Sequence, residues 1–251
     1  MKIALIEHSG SYSGGQRVLE SLALGFKRNN WSVLTCIPAS ADYLKRIEKN
    51  IGEDNVLAIS RAEWLDEKVP YKFFISAILK GISLVNIFRP LFREFDVIYV
   101  NGLRVLPFVV IASLFKKNVV VLHVHNSYES HKKFGWRAAV LIFNVCCRLG
   151  LINCLIVPSM YIRDKLVNDF GFSGKIFVVS NPLPSSEVKV AVGPSWLGSV
   201  QRVAFIGRFC AQKGAVDFVR LAENFPEQQF FVFGEVLDQN LFTSLRVDAL
   251  D

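Results

Sequence analysis

Short runs of Val, Ile and Leu alternate with helix-period segments along the first 180 residues, and that alternation restricts the chain to an α/β fold. Lys2–Glu7 reads as a buried strand, and Gln16–Asn29 carries Val18, Leu19, Leu22, Ala23 and Phe26 at helical spacing. Trp31–Ile37 is a second strand, which completes a βαβ unit. The same grammar then predicts helices over Tyr43–Asn50, Tyr71–Phe95, Val105–Phe115, Trp136–Leu149 and Ser159–Phe170. Strands fall between them at Asn55–Ile59, Asp96–Val100, Val119–Val124, Cys154–Val157 and Ile176–Val179. Strands made of unbroken apolar runs belong to a parallel sheet covered by helices on both faces.

The pattern breaks at Asn181-Pro-Leu-Pro184 and Gly193-Pro194, which bracket a segment without a period. Residues 1–182 are therefore expected to form one Rossmann-like domain, 183–200 a linker, and 201–251 the opening part of a second such domain. That second part begins with the strand Val203–Ile206, the helix Val216–Asn224 and the strand Gln229–Phe233.

Bulk properties narrow the partners. A net charge of +7 favours anions such as nucleotides, phosphosugars or an acidic membrane face. It suggests nucleic acid only by sign, because no nucleic-acid module is recognisable. The five cysteines are odd in number, lack a Cys-x-x-Cys pair and mostly lie in apolar runs, so they read as reduced core residues rather than a metal or disulfide framework. The apolar start is interrupted at once by Glu7 and His8, which argues against a signal peptide. The two greasiest stretches, Phe73–Phe92 and Ala138–Val157, carry Lys80 and Arg89, and Arg148, within them, so no membrane span is expected.

The motif with the clearest chemistry is Val203-Ala-Phe-Ile-Gly-Arg-Phe-Cys-Ala-Gln-Lys-Gly214. A strand ends in Gly207, Arg208 and Lys213 follow, and a helical pattern opens at Gly214. A helix N-terminus favours an anion, Arg grips phosphate oxygens bidentately and Lys adds a point charge. Two cations on a solvated βα loop would be the bland alternative. Gly234, again after a strand and followed by Glu235, is a further candidate.

In the first domain, Gly14 and Gly15 precede a helix and would let a ligand approach backbone amides. A tight βα turn would explain them equally well, and neither a dinucleotide fingerprint nor a P-loop is present. His123 and His125 lie at a strand's carboxyl end, where open α/β sheets bind ligands, and period 2 turns both to one side; a capping or packing role is the bland alternative. Asn126, Glu129 and Asn181 are nearby polar candidates that could equally be solvated or turn-forming. Lys72, Lys80, Arg89 and Arg93, set among Phe73, Ile78, Leu84 and Phe92, could face anionic lipid or edge a core helix.

Taken in order, Ser13-Gly-Gly-Gln-Arg17, Asp96-Val-Ile-Tyr-Val-Asn-Gly102, Val121-Leu-His-Val-His125, Ile156-Val-Pro-Ser159, Val178-Val-Ser-Asn-Pro182 and Phe205–Gly214 resemble glycosyltransferase family 4. The resemblance implies the two-domain GT-B fold. It also implies transfer, with retention, of a sugar from a UDP- or GDP-linked donor to a glycan or lipid-linked acceptor in bacterial surface polysaccharide or lipopolysaccharide synthesis. Gly14, Gly15 and Gly234 would lie near the donor phosphates, which Arg208 and Lys213 would hold. His125 would stand beside the transferred sugar, with His123, Asn126, Glu129 and Asn181 toward sugar or acceptor. No cofactor or metal would be needed, because the two cations neutralise the leaving group. The location implied is cytoplasmic, with peripheral contact at the inner face of the membrane.

The sequence also departs from that family. No Glu-x7-Glu follows Gly234 before Asp251; His123 replaces a small or hydroxylated residue, Asn126 an acidic one and Pro182 a glycine. Either the coding sequence continues past Asp251, or the chain is a partner-dependent or inactive remnant. The competing class is a non-catalytic GT-B-like subunit or pseudoenzyme that binds acceptor or a membrane surface.

Overall fold

A computed structural model describes residues 1–60, 74–113, 118–125, 134–170, 172, 174–182 and 202–244. The chain forms two compact units, Met1–Pro184 and Ser185–Asp251.

The first unit is built on a seven-stranded sheet in which every pairing is parallel. Its strands are β1 (Lys2–Glu7), β2 (Ser32–Pro38), β3 (Val56–Ile59), β4 (Val97–Asn101), β5 (Val119–His123), β6 (Cys154–Val157) and β7 (Lys175–Val178). They run in the order β3-β2-β1-β4-β5-β6-β7, so the winding reverses between β1 and β4. A doubly wound sheet opens a crevice at such a reversal, outside the carboxyl ends of the strands.

Side-chain alternation divides each strand between two cores. Ile3 and Leu5 of β1, Tyr99 of β4 and Val121 of β5 pack with Leu19, Ala23, Ile47 and Ile51 of helices α1 (Gly14–Arg28) and α2 (Leu44–Ile51). Ala4, Ile6, Ile98, Val100, Val120 and Leu122 point the other way. That second core is covered by helices α3 (Phe74–Phe88), α4 (Leu91–Glu94), α5 (Leu106–Ser113), α6 (Phe134–Arg148) and α7 (Met160–Phe170), through residues such as Leu84, Phe88, Val109, Phe143 and Leu166. Burying both faces explains why the strands read as continuous apolar runs.

The expected helical region over Tyr71–Phe95 is divided in the structure. Helix α3 stops at Phe88, and the four-residue α4 restarts after Pro90. Proline cannot donate into the helical ladder and starts a new helix readily. Leu84, Phe88, Leu91 and Phe92 are buried while Arg89 and Arg93 are exposed, which is the core-helix alternative for this region. Lys72 and Phe73 lie outside the described residues. Among the described residues no helix is long and apolar enough to cross a membrane. The five cysteines are unpaired thiols.

The second unit contains the parallel pair β8 (Arg202–Ile206) and β9 (Gln229–Phe233), with α8 (Ala215–Asn224) and α9 (Gln239–Ser244). Its core is aromatic: Phe209, Phe218 and Phe230 are buried with Ala215, Val219 and Val232. Phe209 sits edge-on to Phe205 at 5.1 Å and to Phe218 at 6.3 Å, the arrangement that ring quadrupoles prefer. The expected segment 183–200 between the units lies outside the described residues.

Candidate functional site

Three strands deliver a polar row at the reversal point. On the face that carries Ile3 and Leu5, the next residue of β1 is Glu7; after Tyr99 on β4 comes Asn101; after Val121 on β5 comes His123. The register places Glu7 beside Asn101 and Asn101 beside His123. All three are buried, at 1%, 2% and 3% exposure, so each needs a partner or pays for desolvation.

The Glu7 carboxylate is heavily satisfied. Its Oε1 accepts the backbone N–H groups of His8 at 2.7 Å and Ser9 at 2.8 Å, and its Oε2 accepts from the Asn101 amide. His8 Nδ1 stands 3.1 Å from Oε1. Burial pushes the Glu7 pKa up, but His8, the Ser9 amide and Asn101 outweigh it, and the carboxyl is held below its usual range. Glu7 is therefore ionised at neutral pH.

Asn101 also donates to the Gly15 carbonyl at 3.3 Å, and its Oδ1 lies 2.6 Å from His125 Nε2. His125 packs on His123 with ring centroids 4.0 Å apart, and the Tyr99 hydroxyl bonds to His123 Nδ1. The two histidines do share one side, as period 2 predicts. Burial pushes His123 down to about 3, with His125 adding to the shift, and burial also holds His125 low. Both rings are neutral near pH 7. Among the described residues, His123 Nε2 is buried without a hydrogen-bond partner.

The glycine loop meets this cluster. Gly14 and Gly15 form the first turn of α1, whose entry is fixed by Ser13 N–H donating to Gln16 Oε1 at 3.0 Å. A methyl group at Gly15 would touch His125 at 3.6 Å and Asn101 Nδ2 at 3.8 Å, so the bare backbone keeps open the space between helix start and imidazole. Tyr12, just ahead, is held by its hydroxyl on Glu20, by its backbone N–H on Asp42 and by the Arg46 guanidinium over its ring at 4.6 Å. Those contacts tie the loop to α1 and α2.

Of the other first-unit candidates, Asn126 and Glu129 lie outside the described residues. Asn181 is exposed beyond β7, the edge strand, two strands away from β5. Glu7, Asn101 and Tyr99 were not singled out from the sequence. The signal that could have found them is an apolar i, i+2 row turning polar at its last member.

In the second unit, Arg208 and Lys213 are both exposed on a loop that is otherwise pinned. Gly207 N–H donates to Phe233 O at 2.9 Å, and Phe209 N–H donates to Glu235 O at 2.8 Å. With its neighbours anchored and the Phe209 ring in the core, Arg208 is left facing solvent. Lys213 ends a single 3₁₀ turn, Ala211–Lys213. The helix begins at Ala215, one residue before the expected Val216, directly after Gly214, which adopts φ +87° as a left-handed hinge. Gly214 offers α8 no side-chain cap, and the Ala215 N–H donates to Cys210 O at 3.3 Å, so the amides that an anion could use at this helix start are those after Ala215.

Gly234 has a packing reason of its own. Its φ is +135°, and a Cβ there would run into the Gly207 carbonyl oxygen. Gly234→Ala is expected to destabilise the second unit by about 1–3 kcal/mol, read as a lower unfolding midpoint in denaturant. An unchanged midpoint would show that the loop can give way.

Comparison with known proteins places these features. The model of Glycosyltransferase Family 4 matches residues 12–187. No curated protein sequence matches the chain. Among solved structures, the apo lipopolysaccharide outer core galactosyltransferase WaaB superposes with TM-score 0.66 at 17% identity, covering 99% of this chain and 67% of that one. HepE from Anabaena, solved with UDP-glucose, gives 0.64 at 20% identity over 100% and 68%. The UDP-GlcNAc 2-epimerase from Neisseria meningitidis, bound to UDP-GlcNAc, gives 0.54 at 15% over 100% and 72%. The fold is thus of GT-B type, and the chain spans about two thirds of the length of WaaB and of HepE. Because an epimerase shares the fold, the fold alone does not select transfer.

Proposed function

Because the chain belongs to Glycosyltransferase Family 4, we propose that it moves a hexose from a UDP- or GDP-linked donor to a glycan or lipid-linked acceptor with retention. The setting proposed is bacterial surface polysaccharide or lipopolysaccharide assembly at the inner face of the membrane. The observation that carries this reading is the pinned loop bearing exposed Arg208 and Lys213 ahead of the uncapped start of α8. Pre-placed cations and backbone amides stabilise a diphosphate most as it leaves with its negative charge.

In this scheme the bond from the sugar's anomeric carbon to the phosphate oxygen breaks, and the acceptor oxygen bonds to the same face. The acceptor's proton passes to the departing phosphate. His125, neutral and half-buried beside Gly15, offers the sugar a hydrogen-bonding wall. Glu7 is committed to His8, Ser9 and Asn101, so its task is to hold that wall.

The second reading is a non-catalytic subunit that binds acceptor or membrane. It is favoured by exposed Leu141 and Val145, four apart on α6, with exposed Leu149 just past its end at Arg148. Calorimetric titration with UDP and GDP, set beside flotation with anionic vesicles, separates the two. Nucleotide binding that disappears in Arg208→Ala supports the transferase. Vesicle binding with no nucleotide binding overturns it in favour of the second reading.

A further inference from the structure

We propose that Asn101 is a positioning residue: clamped by Glu7, it holds His125 in the Nε2–H tautomer and leaves Nδ1 as the ring's hydrogen-bond acceptor. Any role of that tautomer in transfer rests on the glycosyltransferase reading above; the tautomer itself does not.

Three steps lead there. An ionised carboxylate only accepts hydrogen bonds. With Oε1 of Glu7 occupied by the His8 and Ser9 amides and Oε2 facing Asn101, the Asn101 side chain must turn its NH₂ toward Glu7. The Gly15 carbonyl, also an acceptor only, lies on that same NH₂ at 3.3 Å and enforces the same orientation. Asn101 Oδ1 is then left 2.6 Å from His125 Nε2. Two acceptors cannot bond, so Nε2 must carry the hydrogen. Burial keeps the ring neutral, and the lone pair is consequently on Nδ1.

The consequence is directional. A neutral Nδ1 accepts a hydroxyl hydrogen, which suits a sugar or acceptor OH, whereas the opposite tautomer would present a donor there. The Gly15 bond links this choice to the first turn of α1, so the helix start and the imidazole are set by one amide. Neither Glu7 nor Asn101 needs to touch a substrate for this.

The test is ¹⁵N-histidine NMR on the purified chain near neutral pH, with the His125 resonances assigned by their loss in His125→Gln. The wild type is expected to show a protonated Nε2 and a bare Nδ1. In Glu7→Gln the new carboxamide keeps its oxygen on the His8 and Ser9 amides and turns its NH₂ toward Asn101. Asn101 is then pulled two ways, since that NH₂ asks for Oδ1 while the Gly15 carbonyl still asks for the Asn101 NH₂, and the population is expected to shift from Nε2–H toward Nδ1–H. Asn101→Leu removes the clamp, and the two tautomers are expected to mix. A wild-type Nδ1–H form, or a tautomer unmoved in both variants, overturns the proposal.

Where the wild type transfers sugar, Glu7→Gln should lower kcat by about 10- to 100-fold, as loss of an orienting partner does elsewhere, while KM for the donor changes less than about twofold. A tautomer balance that shifts in these variants of a protein without transfer keeps the positioning role and refutes the transferase reading. Transfer with an unmoved tautomer does the reverse.

Discussion

Arg208→Ala and Lys213→Ala are each expected to lower turnover by about 10²–10³-fold, the scale seen when one preorganised charge-stabilising donor is removed. Both side chains are exposed, and the loop around them is held by backbone bonds and by Phe209. Thermal stability should therefore stay within about 0.5 kcal/mol of wild type. Affinity for UDP alone should weaken by about tenfold or more, because a charged hydrogen bond is worth about 1.5–3 kcal/mol. Lys213→Arg should recover part of the loss, since charge is kept, and Arg208→Lys less, since the bidentate fork is not. Initial rates, nucleotide titration and a thermal scan on the same preparations check all three. Undiminished turnover in both alanine variants would sink the diphosphate assignment and leave the loop a solvated surface.

The second large effect is acid lability of the first unit. His123 is 3% exposed, and burial holds its pKa at about 3 against 6.5 for a free imidazole. The unfolded chain therefore takes up a proton as pH falls through about 6.5, while the folded chain refuses it. The stability tied to this group is complete above about 6.5 and drains away as pH drops toward 3. Each pH unit inside that window costs about 1.4 kcal/mol, so His123 alone removes about 2–3 kcal/mol between pH 6.5 and 4.5. For a unit of this size that is a fall in Tm of about 5–10 °C. His125, also held low, acts in the same sense. Glu7 follows below its ordinary 4.5, because a depressed carboxylate loses its contribution as it is protonated.

Calorimetric scans from pH 7.5 to 4.5 measure the slope directly. His123→Phe should be less stable at neutral pH, with the Tyr99 hydroxyl deprived of its partner, yet markedly flatter with pH. A wild-type Tm that does not move between pH 6.5 and 4.5 would mean that protonated His123 finds a counter-charge in the folded state.

Much of this architecture could be read along the chain. Strand and helix periods are local, and they located β6 and β9 at Cys154–Val157 and Gln229–Phe233 as observed. Where local rules competed, the outcome shifted: Pro90 cut the long Tyr71–Phe95 segment. Arg208 and Lys213 were legible because the strand, loop and helix that carry them are contiguous. His125 was legible as a strand-end histidine. Glu7 and Asn101 were not, because a carboxylate or an amide at the end of an apolar strand looks like ordinary punctuation.

The sequence by itself determined the alternation of strands and helices, the parallel sheet that follows from it, and the cation-bearing loop, since each depends on neighbours within one or two turns of chain. Only the tertiary structure decided that Glu7 and Asn101, 94 residues apart, share a hydrogen bond and that His125 completes the line. That adjacency comes from strand order, with β4 docking against β1 and β5 against β4. Strand order is set by which buried faces pack together across the whole unit, a property that no local period encodes.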